Sequence, residues 1–352
     1  MALEVWATGA LIIWASLWGT LTRMGLTALN TYAGQSIDPN VWAQGVGCLV
    51  MGWVTAASNR KVLDQWYKPL FPMMATGYCG SVTSFSVWAV GVFEAFADYH
   101  HYHRGGLHNV MDALTQTAAT LAVSFAAFWT GECISKTFNL EELEKRRLPQ
   151  QDRLPTEATQ AKQALAEKDL SASSPAGSSQ NVVHWIAIVV GLVFWIGAAL
   201  LCGLYAPFRH VTYALVLSPP GALVRWQLAR LNPSGSRPLS RHWPFGTYFA
   251  NQLAVLIYCA GEVAMYFGYI AGPTGKTVSS KDACNALYGL QAGFCGTLST
   301  ISTLITELVA MKPPRKAFAY VFFSWASGVV FCILVLGSTW WSSGMQGGCK
   351  PH

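Results

Sequence analysis

The chain has 352 residues, of which 52% are hydrophobic, only 11% are charged and 15 are tryptophan. Soluble domains carry roughly one quarter charged residues, so this composition excludes an ordinary soluble protein and indicates a membrane protein. The net charge of +6 comes from lysine and arginine clustered in particular loops. It is a signal of membrane orientation and requires no nucleic-acid partner.

Nine apolar runs are each long enough to cross a hydrocarbon layer of roughly 30 Å. They lie near residues 5–30, 41–57, 69–97, 109–135, 182–205, 211–230, 245–270, 284–310 and 317–341. A polar segment rich in Glu, Lys, Ser, Pro and Ala follows the fourth run, which predicts a tether without a packed core. No Walker, Rossmann or HExxH motif occurs, so neither an energy-coupled pump nor a membrane protease is indicated.

The lysines and arginines orient the chain, because positive residues are retained in cytoplasmic loops. With nine spans, most of them fall on one side, including those of the loop Ser58–Lys68 and the polar segment. This bias predicts a multi-pass protein of the plasma membrane, with its N-terminus in the cytoplasm and its C-terminus outside.

Two stretches in different halves of the chain are nearly the same: Gly77–Phe85 reads GYCGSVTSF and Gly293–Ile301 reads GFCGTLSTI. Each interrupts an apolar run, which a bilayer tolerates only where the broken backbone is buried in protein or lines a polar cavity. A broken pair at matching positions in two halves indicates a transport site. Three other places match between the halves. Segment 19–23 corresponds to segment 221–225, and Gln44 corresponds to Asn251. In the fourth spans, Ala113, Gln116, Thr120 and Ser124 correspond to Ala317, Tyr320, Ser324 and Gly328.

The fifth run explains how two such halves share one membrane. Four spans on each side of it would be parallel without an extra crossing, so this run inverts the second half. The sequence thus predicts an all-α membrane protein with nine transmembrane helices, arranged as two inverted four-helix repeats that each have a broken third helix. The predicted boundaries are 1–136 for the first repeat, 137–181 for a cytoplasmic linker, 182–206 for the inverting helix and 207–352 for the second repeat.

These elements resemble the small fluoride channels called Fluc or CrcB and their fused eukaryotic form, the FEX fluoride exporters. The bacterial pattern is GAxxR, then GTxxVN, then GxxGxxTTFSTF, then a span with Tyr and Ser on one face. All four elements recur in order in both halves, so the resemblance covers the chain apart from the linker. It implies a passive fluoride channel, not an enzyme, that works in lipid as a single chain.

The resemblance also implies which residues form the pore. Fluoride is tightly hydrated, so hydrogen-bond donors must replace its water, and aromatic ring edges offer partial positive charge. Arg23 and Arg225 are expected to attract the anion into vestibules; a salt bridge or snorkelling at a span end is the alternative. The candidate pore-lining residues are Asn251, Thr247, Phe85, Trp88, Tyr320, Ser324, Ser302 and Thr303.

A structural sodium ion is a further implication of the resemblance. Backbone oxygens of the two broken helices would hold it, since carbonyl oxygens suit a hard cation. The alternative is that small residues at these positions only permit close helix packing. The residues concerned are Gly80, Thr83, Gly296 and Ser299.

Neither half keeps the complete family pattern. The two family phenylalanines correspond to Phe85 and Trp88 in the first half, but to Ile301 and Leu304 in the second. Together these departures predict one surviving composite pore. An interhelical hydrogen bond for Asn251, and ordinary core packing for Phe85 and Trp88, remain alternatives. The vestigial pore candidates are Gln44, Ile301, Leu304, Gln116 and Thr120.

Several other residues suggest different chemistry. Glutamates at span ends are typical of proton relays, so a proton-coupled transporter of another small anion or solute is the alternative function; the residues are Glu94, Glu132, Glu262 and Glu307.

A histidine cluster in an outer loop lacks the i, i+4 spacing of a helical zinc site and is interpreted as a solvated loop; it consists of His100, His101 and His103. Cys284 and Cys349 both fall on the outer, oxidising side, where a disulfide between them is possible.

Overall fold

The computed structural model describes residues 2–32, 37–99, 105–147, 176–233, 243–270 and 281–343. Every regular element among these residues is helical, so the predicted all-α class is confirmed for this part of the chain. Most of the predicted linker lies outside the described residues, as do His100, His101, His103 and Cys349.

The first half consists of four long helical segments, of which the second is bent and the third is broken. The bend of 75° follows Thr55. The helices are α1 Ala2–Asn30, α2 Val41–Thr55, α3 Ala57–Trp66, α4 70–82, α5 Phe85–Ala97, α6 Gly106–Thr137 and the short α7 Leu140–Arg147.

The second half begins with a long apolar helix, and its third segment after that helix is again broken. Its helices are α8 Ala176–Leu204, α9 Arg209–Leu228, α10 Phe245–Ile270, α11 281–298, α12 Ser302–Ala310 and α13 314–343.

The two breaks have the same local geometry. Each is preceded by a π-helical turn, Met73–Cys79 in α4 and Leu290–Cys295 in α11, a feature that is frequent at functional sites. The chain then becomes extended at Thr83 (φ −93°, ψ 147°) and at Ser299 (φ −88°, ψ 158°). Serine and threonine suit these positions because their hydroxyls can bond the backbone groups that a broken helix leaves free.

Six helical segments in the described part are long and apolar enough to cross a membrane, and the bent pair α2 and α3 would make a seventh. A multi-pass membrane protein is therefore confirmed. Helices α9 and α10, with 20 and 26 residues, coincide with two further predicted runs but are not among these seven. The count of nine spans stays a prediction.

Helix packing places each break beside the other half of the chain. In the first half α2 runs along α6, and Gly52 and Gly131 lie directly against backbone of the facing helix. After the first break, α5 packs against α10 and α13. After the second break, α12 packs against α2 and α6. We call the contact of α5 with α10 and α13 the aromatic interface, and that of α12 with α2 and α6 the aliphatic interface.

Candidate pore around the two helix breaks

The two breaks meet at the centre of the protein through side-chain hydroxyls. Thr83 Oγ1 lies 3.1 Å from both Thr300 Oγ1 and Ser302 Oγ. It also accepts hydrogen bonds from the backbone amides of Ile301, at 3.2 Å, and Ser302, at 3.1 Å. A threonine of the first break therefore caps the start of α12 in the second half.

The second break makes the reciprocal contact with the start of α5. Ser299 Oγ accepts a hydrogen bond from the backbone amide of Ser86 at 3.0 Å and lies 3.0 Å from Ser86 Oγ and 3.1 Å from Ser84 Oγ. All these hydroxyls are buried. Each half thus supplies the group that satisfies the freed amides at the start of the other half's helix, as buried polar groups require.

The predicted pore residue Asn251 and its vestigial counterpart Gln44 make the same contact. Asn251 accepts from the backbone amide of Thr300 at 2.8 Å and donates to its carbonyl at 3.3 Å. Gln44 accepts from the amide of Ser84 at 3.1 Å and donates to its carbonyl at 2.7 Å. Both side chains hold the extended residue that follows a break, which is an interhelical hydrogen bond of the kind left open from the sequence.

Arg23 and Arg225 lie inside the protein at the breaks, each only 4% exposed. Arg23 donates to the carbonyls of Gly296 and Ala292, and Arg225 donates to the carbonyl of Thr76. Gly296 lies in the last turn of α11, where a positive charge is favourable, and Ala292 and Thr76 belong to the π-helical turns before the breaks. Each arginine therefore reaches the break of the other half.

The four residues expected to hold sodium lie at the two breaks, near Arg23 and Arg225. Their backbone oxygens are donors that suit a hard cation. However, the carbonyl of Gly296 already accepts from Arg23, and a Cβ at Gly80 would overlap the guanidinium of Arg225. Both arginines therefore place positive charge beside Gly80 and Gly296, and the sodium site at Gly80, Thr83, Gly296 and Ser299 stays a prediction.

The aromatic interface brings together residues that the sequence had divided between the halves. The Phe85 ring lies 3.1 Å from the point that a Cβ atom would occupy if Gly328 on α13 were an alanine. The ring centroids of Phe85 and Trp88 are 5.4 Å apart, in an edge-to-face arrangement. Helices α10 and α13 carry Asn251, Tyr320 and Ser324, all buried. The helix that carries the aromatics of one half therefore packs against the two helices that carry the polar residues of the other.

The aliphatic interface collects the other set. Leu304 lies on α12 and Ile301 directly precedes this helix; both are fully buried. The facing helices α2 and α6 carry Gln44 and Thr120, which are also buried. Gln116, further along α6, accepts a hydrogen bond from the backbone amide of Asp38 at 2.6 Å. The vestigial candidates thus lie on helices other than α5, although Ile301 and Leu304 share one buried core with Phe85 and Trp88.

Two predicted pore residues bind a glutamate that the sequence analysis had set apart. Glu307 Oε1 accepts from Thr247 Oγ1 at 2.5 Å and from Asn232 Nδ2 at 3.0 Å, and its Oε2 accepts from Tyr320 OH at 3.0 Å. The carboxylate therefore orients the hydroxyls of Thr247 and Tyr320. A signal was present, because a buried carboxylate within an apolar span is costly unless it is paired.

A second carboxylate occupies the matching place in the first half, although the sequence analysis did not single it out. The residue equivalent to Glu307 is Gly91, and Asp38 Oδ2 lies 2.7 Å from the Cβ position of Gly91. The carboxylate thus comes from the loop before α2. Burial raises the pKa of Asp38 to about 6, because an ionised carboxylate loses hydration there.

The remaining candidates lie elsewhere. Ser302 belongs to the central hydroxyl cluster, and Thr303 lies beside Thr300 with its amide 3.4 Å from Thr300 Oγ1. Glu94, Glu132 and Glu262 are half-buried. Cys284 is disulfide-bonded, while Cys349 lies outside the described residues. Among the described residues no three His, Cys, Asp or Glu side chains converge as metal ligands.

A multi-pass helical membrane protein whose two broken helices cap each other is the class that this geometry defines. The family model described as CrcB-like protein, Camphor Resistance (CrcB), matches residues 10–132 and 212–337, which together are more than half of the chain. The chain therefore belongs to the CrcB family, and the resemblance inferred from its motifs is confirmed.

Curated relatives agree with this assignment. Fluoride export protein 1 of Candida albicans is 27% identical over 95% of this chain and 80% of its own length. Fluoride export protein 1 of Schizosaccharomyces pombe is 29% identical over 94% of this chain and 95% of its own length. The fluoride-specific ion channel FluC 2 of Bifidobacterium longum is 34% identical over 35% of this chain and 66% of its own length. No solved structure matches the chain.

Proposed function

We propose that this protein is a passive fluoride channel that exports cytoplasmic fluoride across the plasma membrane. Family membership supports a channel without enzymatic activity, and the relatives named as fluoride exporters support fluoride as the ion. The observation that carries the proposal is the aromatic interface, where Phe85 and Trp88 of one half face the polar residues of the other.

The proposed architecture is two inverted four-helix repeats joined by α8, with nine spans in all. The reciprocal contacts support it: Arg23 reaches the second break as Arg225 reaches the first, and Thr83 caps α12 as Ser299 caps α5. The proposed boundaries are 1–136, 137–181, 182–206 and 207–352. The N-terminus would lie in the cytoplasm and the C-terminus outside.

Permeation would use one composite pore along the aromatic interface. Fluoride would pass Asn251, Thr247, Tyr320 and Ser324 on the α10 and α13 side and the aromatic edges of α5 on the other. Because the cell interior is negative, an anion that leaves gains roughly 2.3 kcal/mol per 100 mV. Export therefore needs no coupling to another solute, and a single chain in lipid would suffice.

The proposed mechanism includes no step at a sodium ion. The resemblance implies such an ion at the centre, where Arg23 donates to the carbonyl of Gly296. The guanidinium groups of Arg23 and Arg225 supply fixed positive charge to the carbonyls there. The alternative function, a proton-coupled transporter, gains no support from the relatives, whose names specify fluoride export or fluoride channels.

The experiment is fluoride efflux from liposomes that contain the purified protein and are loaded with potassium fluoride. A fluoride electrode records release after valinomycin opens a path for potassium. A passive channel releases fluoride rapidly when valinomycin is present, and a proton ionophore does not change the rate. Empty liposomes and chloride-loaded liposomes are the controls. Efflux that depends on a proton gradient, or no fluoride efflux, would contradict the proposal.

A further inference from the structure

One tryptophan in the aromatic interface has a buried N–H group with no hydrogen-bond partner among the described residues: Trp88 is 2% exposed and its Nε1 is unpaired. Buried indole N–H groups usually find a partner. Even three half-buried tryptophans of this chain have partners, since Trp53 donates to Phe138 O at 3.1 Å, Trp195 to Val216 O at 3.0 Å and Trp325 to Thr117 Oγ1 at 3.2 Å. The unpaired donor of Trp88 therefore calls for an explanation.

Its position points to a ligand. Trp88 lies one helical turn after Phe85 on α5, and the two rings meet edge to face. Helix α10, which packs against α5, carries another buried polar atom without a hydrogen-bond partner in the described part of the chain, Gln252 Oε1. Gln252 donates its amide to the carbonyl of Ser324 at 3.0 Å, so these two residues are held side by side.

The aromatic interface thus contains an unpaired indole N–H group that is shielded from solvent. Phe85 and Val255 are both 0% exposed there. A donor kept from water binds an anion strongly, because charge-assisted hydrogen bonds are stronger than neutral ones and low dielectric increases the effect. A phenylalanine at position 88 would keep an aromatic ring but offer no such donor.

We propose that the Trp88 Nε1–H group donates a hydrogen bond to the permeating anion in the aromatic interface. This inference rests on the proposed fluoride channel function. It assigns the anion contact at Trp88 to one N–H group, whereas the sequence analysis had assigned it to a ring edge. A small, strongly basic acceptor such as fluoride is the anion that such a donor favours.

Trp88→Phe separates the two assignments, because it keeps an aromatic ring edge and removes the N–H. Fluoride efflux from liposomes should fall about tenfold, which corresponds to about 1.4 kcal/mol. The matched control is Trp325→Phe, which removes an N–H group that already donates to Thr117 Oγ1 on α6. This control should retain the wild-type efflux rate. Rates are normalised to protein that is monodisperse and incorporated.

A second variant guards against a packing effect of the smaller ring. Amber suppression can place β-(3-benzothienyl)alanine at position 88, an analogue in which sulfur replaces the indole N–H and the bicyclic shape is preserved. The inference expects this analogue to be impaired like Trp88→Phe. Wild-type efflux by both variants would overturn it.

A direct measurement needs no variant in the working channel. In protein labelled with 15N-indole tryptophan, the Trp88 N–H resonance is identified by its loss in Trp88→Phe. Added sodium fluoride should shift this resonance downfield, while the Trp325 resonance stays in place and sodium chloride has no effect. If the wild type conducts fluoride and the Trp88 resonance does not move, the inference is wrong. If the wild type conducts no fluoride at all, the proposed function itself fails.

Discussion

The guanidinium group of Arg23 in the first half donates to the carbonyl of Gly296 at the helix break of the second half. The converse contact places Arg225 against Gly80 and bonds it to the carbonyl of Thr76. Each break is therefore held by an arginine that lies more than a hundred residues away in sequence. The positive charge meets the negative end of a helix segment, which is a stabilising arrangement.

Gly80→Ala and Gly296→Ala should both disrupt the protein, because the added Cβ at either position would overlap a guanidinium group. Overpacking of this kind costs about 1–3 kcal/mol, and displacing the arginine would also free the carbonyls it binds. The measurement is thermal stability in detergent together with fluoride efflux. Gly197→Ala is the control, since nothing lies within 4 Å of its Cβ position. Wild-type stability of both variants would show that the arginines move aside freely.

Asn251→Ala and Gln44→Ala should lower thermal stability to a similar degree, because each removes two hydrogen bonds to the residue after a break. Leaving such backbone groups unpaired costs about 1–3 kcal/mol per group. Their effects on fluoride efflux should differ: per folded protein, Asn251→Ala abolishes efflux whereas Gln44→Ala retains it. The measurement is liposome efflux normalised to incorporated protein. Equal loss of efflux would reject a single dominant pore.

Phe85→Ala should reduce fluoride efflux far more than Ile301→Ala, although both residues are fully buried at equivalent positions. A phenyl edge carries partial positive charge toward an anion, whereas isoleucine offers only shape. Phe85→Ile is the decisive variant, since it keeps an apolar side chain and costs on the order of 1 kcal/mol in packing. We expect it to be impaired in the electrode assay. Near-normal efflux would exclude the edge mechanism at this position.

Acidification should stabilise the protein through Asp38. Its pKa is raised to about 6 by burial, so its stabilising contribution is complete below the ordinary aspartate pKa of about 3.9 and is lost as pH rises through 6. Thermal stability measured from pH 5 to pH 7 should therefore fall more steeply in the wild type than in Asp38→Asn. The exposed Asp64, substituted by Asn, is the control. Identical pH profiles for wild type and Asp38→Asn would contradict this role.

Removing residues 182–205 should abolish fluoride efflux, because four spans on each side would then run parallel and the reciprocal contacts could not form. The topology has its own readout. Glycosylation tags at the two ends of the intact chain should report the N-terminus inside and the C-terminus outside. Tags on the same side, or fluoride tolerance in cells that express the deletion, would refute the inverted arrangement.

Much of this protein could be predicted from local patterns. Composition identified a membrane protein, and the matching segments that end at Phe85 and Ile301 located both helix breaks. Such features can be read from the sequence because few backbone conformations are stable in a bilayer. The length of an apolar run and its interruption by Gly, Ser and Thr are therefore strong constraints. The separation of aromatic and aliphatic positions was also visible, since it depends on residue identity alone.

Only the tertiary structure decided which groups meet. The sequence left a vestibule, a salt bridge or snorkelling open for Arg23, and only the structure shows its guanidinium at Gly296, 273 residues further along the chain. It left Glu307 without a partner, whereas Thr247 and Tyr320 both donate to it. The physical reason is that a buried polar side chain must be satisfied, but any suitably placed donor or acceptor can do this. Composition and spacing therefore determine that a partner is needed, and helix packing determines which one it is.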